Sequence, residues 1–154
     1  MSILSKISVT LGLFFLVLID RITKTLALSY LIVPYKVNSF LSYDLVINRG
    51  ISWGIGNSAS SLIFGGITLL TIVVTLALAV YTYRRIQQDY SVYGELLVLA
   101  GSCSNIFDRL VYNGVIDFIL VHAYGFYFPY FNIADAAIVV GVAIMCIVLA
   151  SNSR

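Results

Sequence analysis

Four stretches of the chain have the length and apolar character of membrane-spanning helices. Residues 6–30, 62–83, 91–110 and 131–150 are each predominantly apolar over the roughly 20 residues that crossing a bilayer requires. The second, Leu62 to Tyr83, is free of charge. The first carries Asp20, Arg21 and Lys24, the third lies between Glu95 and Asp108, and the fourth contains Asp135. Residues 31–60 follow a different period. Tyr43, Leu45, Ile47, Ile51, Trp53 and Ile55 occupy odd positions, and Asp44, Asn48, Gly50, Ser52, Gly54 and Gly56 even ones. That alternation predicts one or two β-strands with an apolar face, interrupted near Asn48-Arg49-Gly50. Beside a membrane such a face rests on the bilayer or on a lipophilic ligand. The expected fold is integral membrane and mainly α: four transmembrane helices in a single membrane domain over residues 1–154, with a small extracytoplasmic β-containing insert between helices 1 and 2.

Composition strengthens this picture. Hydrophobic residues make up 60% of the chain and charged residues 10%, far from the quarter or so typical of a soluble domain. Nine Lys and Arg against seven Asp and Glu leave no basic surface for a nucleic acid. Lys6 precedes an uncharged run from Ile7 to Ile19 of signal-peptide length, but Asp20, Arg21 and Lys24 intervene before any small-residue cleavage site, so the first helix is read as permanent. One histidine and two cysteines in separate segments argue against a metal site. Cys103 and Cys146 sit at different depths and are expected to be free thiols buried as small hydrophobes. His122 is expected at an interface or in a loop, and Glu95 as an interfacial charge near the inner end of the third span. Lys6, Arg84, Arg85 and Arg154 on one side, against Lys36 and Arg49 on the other, favour cytoplasmic termini; counting Arg21, Lys24 and Arg109 reverses the balance. The aromatic run from Tyr124 to Phe131 reads as an interfacial belt.

Carboxylates inside these spans need an explanation, because an Asp at the centre of a spanning helix costs roughly 2.5–3.5 kcal/mol. At about 1.5 Å per residue, Asp20 and Asp108 lie about 21 and 25 Å from the start of their helices, and Asp135 about 6 Å below the end it shares with Asp108. Three helices thus bring carboxylates to one third of the bilayer, and Asp117 joins them from the short connection between spans three and four. Asp20 and Lys24 have the i, i+4 spacing of an ion pair. Asp108 and its neighbour Arg109 point apart on a helix, so any partner must come from across the bundle. Asp108 and Asp135 each end an Asn-Ile-x-Asp unit, Asn105 to Asp108 and Asn132 to Asp135, in which the amide can serve its own carboxylate or a substrate backbone. Two neighbouring carboxyls that share one proton supply the acid and the base of amide hydrolysis. From the residues alone a proton- or ion-coupled carrier stays open, as does an assembly subunit in which Gly65-Gly66, Gly94 and Gly141 make helix contacts.

Asp20-x-x-x-Lys24, Asn48-Arg49-Gly50-Ile51-Ser52-Trp53-Gly54, Asn105-Ile106-Phe107-Asp108-Arg109 through Val115-Ile116-Asp117-Phe118, and Phe131-Asn132-Ile133-Ala134-Asp135 resemble, in order, the motif blocks of bacterial lipoprotein signal peptidase (signal peptidase II). The resemblance implies an aspartyl endopeptidase that removes the signal peptide of a prolipoprotein immediately before its diacylglyceryl-modified cysteine, without a metal or other cofactor. It implies Asp117 and Asp135 as the catalytic pair. Asn48, Gly54, Asn105, Asp108, Arg109 and Asn132 would bind substrate or support the site, and Asp20 and Lys24 would be a structural ion pair. It further implies a monomer in the bacterial cytoplasmic (inner) membrane, with both termini cytoplasmic, the active site facing outward under a β-cradle, contact with membrane lipid, and inhibition by globomycin-type cyclic peptides. Ala100-Gly101-Ser102-Cys103-Ser104 replaces a usually glycine-richer run, and Ile51, Ser52 and Trp53 depart from the commoner residues of their block; small side chains should preserve close helix contact.

Overall fold

The protein's computed structural model describes residues 3–50 and 60–152. Gly54, and with it the alternation through Ile51, Trp53 and Ile55, lies outside the described residues. Among those described, the chain forms four helices, α1 (Ile3–Tyr30), α2 (Ser61–Gln87), α3 (Tyr93–Tyr112) and α4 (Ile133–Asn152), and four strands, β1 (Tyr35–Lys36), β2 (Leu41–Asn48), β3 (Val115–Ala123) and β4 (Phe126–Tyr127). Two of the helices, α2 and α4, are long and apolar enough to cross a membrane. Their apolar side chains mostly face outward: Leu69, Leu70, Val73, Val74, Val139, Val140 and Ile147 are exposed. The interior holds Asp20, Lys24, Asn105, Asp108, Asp117 and Asn132 beside a few apolar residues such as Ile116, Phe118 and Ala134. That is the reverse of a water-soluble core and suits a lipid solvent.

The sheet corrects one expectation. It is antiparallel in the order β1-β2-β3-β4, and half of it comes from the connection between α3 and α4, which was expected to be a short loop. The sequence Val115-Ile116-Asp117-Phe118-Ile119-Leu120-Val121 is nearly continuously apolar, the pattern of a strand covered on both faces rather than an alternating one. As an inner strand, β3 is buried over its first four residues. Tyr124 and Gly125 close its hairpin to β4 with φ of 50° and 83°, as a two-residue type I′ turn requires, and the tip carries exposed Tyr124, Phe126 and Tyr127. The β2–β3 register shifts between Tyr43 and Val46, opposite Ile119 and Asp117. A bulge of this kind re-aims nearby side chains. His122 is a strand residue, its Nε2 3.0 Å from Ser42 Oγ.

Helices α3 and α4 touch backbone to backbone. A Cβ at Gly94 would stand 2.6 Å from Gly141 O, and one at Gly101 2.5 Å from Ala134 O. A Cβ at Gly65 or Gly66, in contrast, would meet nothing within 4 Å among the described residues. Gly101→Ala is therefore expected to destabilise by about 1–3 kcal/mol through overpacking, whereas Gly12→Ala, with open space around it, should be neutral or stabilising by up to about 1 kcal/mol. Equal thermal midpoints for the two variants would contradict this account.

Two expectations for the helices also change. Glu95 is buried rather than interfacial, its Oε1 3.2 Å from Arg85 Nε. Cys103 and Cys146 are free but exposed on the outer faces of α3 and α4, where lipid-facing surface accepts a small apolar thiol as readily as a core does.

Candidate active site

The buried face of α3 carries Gly101, Ser104, Asn105, Asp108 and Arg109, a polar stripe at helical spacing in an otherwise apolar helix. Charges removed from solvent must find partners, and those of α3 find them on α1. Lys24 Nζ lies 2.9 Å from Asp20 Oδ2 and 2.8 Å from Asp108 Oδ2, and donates to Asn105 Oδ1 at 2.8 Å, so all three ammonium protons are engaged. Arg21, which the motif reading left out, pairs with Asp108 Oδ1 at 2.7 Å and Asp20 Oδ2 at 3.3 Å and stacks over Phe107. Ser104 Oγ donates to Asp20 Oδ2 at 2.6 Å. Asp20 Oδ1 accepts the Ala134 N–H at 2.9 Å, so the first helix also holds the N-terminus of α4. Ser104 was findable in the sequence, since it shares the 101-104-105-108 stripe; Arg21 was not, because its partner lies on another helix.

Asn132 caps α4. Its Oδ1 accepts the Asp135 N–H at 2.8 Å, Asp135 Oδ2 accepts the Asn132 N–H at 3.3 Å, and the Asn132 carbonyl takes the Ala136 N–H. This is a capping box with Asn and Asp in place of Ser and Glu. The cap leaves the Asn132 side-chain amide free to donate elsewhere, and Nδ2 reaches Asp117 Oδ1 at 2.7 Å. Asn105 Nδ2 donates to Asp135 Oδ1 at 2.8 Å. The two Asn-Ile-x-Asp units therefore work crosswise: the side-chain amide of each serves a carboxylate of another element. Asn48, at the end of β2, donates from Nδ2 to Asp117 Oδ2 at 3.0 Å, while its Oδ1 accepts the Gly50 N–H in a tight turn.

Asp117 and Asp135 border one cavity of about 510 Å³, together with Asn48, Asn105, Arg109 and Tyr130. Asp20, Lys24, Asp108 and Asn132 do not line it; they form the buried support behind it. Arg109 is fixed by donating to the Gly50 carbonyl and by lying 5.9 Å from the Phe64 ring centroid. Asp117, on its strand, is pushed up to about 7, first by burial and then by the negative charge of Asp135, against the hydrogen bonds from Asn48 and Asn132. At neutral pH it is thus close to half protonated. Four carboxylates, Asp20, Asp108, Asp117 and Asp135, face three cations, Arg21, Lys24 and Arg109, and one proton on the cavity pair makes the cluster neutral. Among the described residues no group of three or more His, Cys, Asp or Glu side chains is placed to hold a metal ion.

Residues 13–151 match the family model described as Signal peptidase (SPase) II. The chain is 36% identical over 137 residues to a lipoprotein signal peptidase of Thermodesulfovibrio yellowstonii, covering 88% of this chain and 89% of that one. It is 33% identical over 147 residues to a lipoprotein signal peptidase of Clostridium novyi, covering 90% and 94%. Among solved structures, a bacterial membrane enzyme determined by the in meso method at 2.3 Å superposes with a TM-score of 0.78 at 25% identity, covering 96% of this chain and 90% of that one.

Proposed function

Since the chain belongs to the signal peptidase II family, we propose that Asp117 and Asp135 are the catalytic pair of its peptidase activity. The protein is a membrane protease that cleaves lipoprotein signal peptides. The observation that carries the residue assignment is that both carboxyls open on one cavity, each held by an asparagine amide from another element. With one proton between them, one carboxylate takes a proton from the attacking water and the other carboxyl gives one to the leaving amine. At neutral pH Asp117 carries that proton about half of the time. Asn48, Asn105 and Asn132 fix the carboxyl orientations, Asp108 and the Asp20–Lys24 pair anchor them, and Arg109 bounds the cavity.

In this reading all four helices cross the cytoplasmic membrane as one domain, with both termini inside and the cavity open to the outer side. Arg84 and Arg85 at the far end of α2 from the sheet support that orientation. The cut falls just before the diacylglyceryl-modified cysteine, whose lipid stays in the bilayer while the extended peptide enters beside the sheet. The enzyme acts as a monomer, and cyclic peptides of the globomycin type occupy the same cavity. The carrier reading has no support in the matched proteins, which are peptidases.

The pH profile tests the proton assignment. With purified enzyme and a diacylated prolipoprotein peptide, kcat/KM should fall about tenfold per pH unit above about pH 7, as Asp117 loses its proton. Asn48→Ala removes a donor that favours the ionised form, so it should move this alkaline limb to higher pH. A limb that stays in place or moves down would show that another group controls it.

A further inference from the structure

Arg109 is a buried cation, 7% exposed, with no carboxylate within ion-pair distance among the described residues, whereas Arg21 and Lys24 each contact two carboxylates. Its Nη2 donates to the Gly50 carbonyl and its guanidinium lies against Phe64, which together fix the plane of the group. Its Nη1 is buried and has no hydrogen-bond partner among the described residues. The side chain borders the same cavity as Asp117 and Asp135. A charged donor left unmade in a low-dielectric site is costly in the resting protein, and a preorganised donor of this kind is what stabilises negative charge that develops during reaction.

We propose that Arg109 is a further catalytic residue of the peptidase reaction, donating from Nη1 to the carbonyl oxygen of the scissile peptide and holding the negative charge that forms there. The inference rests on the peptidase reading above. As water adds, its oxygen bonds to the carbonyl carbon and the C=O π pair moves onto oxygen facing Nη1. The water proton passes to the ionised carboxylate of the pair. On collapse the oxygen lone pair re-forms the C=O bond, the C–N bond breaks, and the nitrogen takes the proton of the other carboxyl. The products are a carboxylic acid and an amine, and the pair again holds one proton, now on its other member. Arg109 moves no proton. A lysine in its place keeps the charge but cannot hold Gly50 and reach a second oxygen together, because an ammonium lacks the planar fork.

The test is steady-state kinetics of the full-length enzyme in detergent or nanodiscs with a diacylated prolipoprotein peptide. Arg109→Lys should lower kcat about 10²–10³-fold with KM changed less than about threefold. Arg109→Ala should lose kcat similarly, and added guanidinium ion should restore part of it in a saturable way, a readout that a merely structural role would not move. Near-normal kcat in Arg109→Lys, a loss confined to KM, or no guanidinium rescue of folded Arg109→Ala would overturn the proposal. Asp117→Asn run beside them separates the two claims: if that variant cleaves normally the assignment of the aspartate pair fails, and if it is inactive while Arg109→Lys is not, only the role of Arg109 fails.

Discussion

Asp117→Asn and Asp135→Asn are each expected to lower kcat on a diacylated prolipoprotein peptide by about 10³–10⁴-fold while leaving a folded protein. The amide keeps the shape of the carboxyl and can still meet one neighbour: Asn132 and Asn48 around position 117, Asn105 around position 135. What it cannot do is accept a proton from water or pass one to the leaving nitrogen. Stability should hold or rise, since each substitution removes one of two carboxylates that repel across the cavity. Thermal unfolding and single-turnover cleavage read these two effects apart. If either variant turned over within tenfold of wild type with a normal melting curve, that residue would be no part of the acid and base pair.

Lys24→Ala is expected to act on the other quantity. Its ammonium is 1% exposed and contacts Asp20, Asp108 and Asn105, so removing it leaves two buried carboxylates with Arg21 as their remaining cation. Breaking a buried pair in this way costs about 3–5 kcal/mol, which for a chain of this size lowers the midpoint of unfolding by about 10 °C. Adding Asp20→Asn to Lys24→Ala removes one of the stranded charges and should recover part of the loss, a non-additivity expected of residues in one network. An unchanged midpoint in the single variant would mean that Arg21 and Ser104 alone satisfy Asp20 and Asp108. Because Asn105 connects Lys24 to Asp135, activity should fall too, but by less than in the aspartate variants.

Much of the fold is written locally. The four apolar runs appear as helices whose ends differ from expectation by a few residues, except that α2 extends to Gln87. The alternation around Tyr43, Leu45 and Ile47 appears as β2 and stops at Asn48, where the break was expected. The motif order also pointed to Asn48, Gly54, Asn105, Asp108, Arg109, Asp117, Asn132 and Asp135; of these Asn48, Asn105, Arg109, Asp117 and Asp135 line one cavity, Asp108 and Asn132 lie buried behind it, and Gly54 is outside the described residues. Strand β3 was missed because a central strand has no polar face to mark its period, so its apolar run resembles any buried segment. Of the glycines that the assembly-subunit alternative would make helix contacts, Gly94 and Gly141 approach each other closely, while Gly65 and Gly66 have open space beside them among the described residues.

By itself the amino-acid order determined the solvent, the helices and the kinds of chemistry present, because hydrophobic content and i, i+3, i+4 spacing are properties of neighbouring residues. The tertiary structure decided which amide serves which carboxylate, that Asp20 reaches the start of α4, and that Arg21 joins Lys24 in neutralising Asp20 and Asp108. Those choices follow from distance in a medium of low dielectric, where a charge a few ångströms away through space outweighs the residue next to it along the chain.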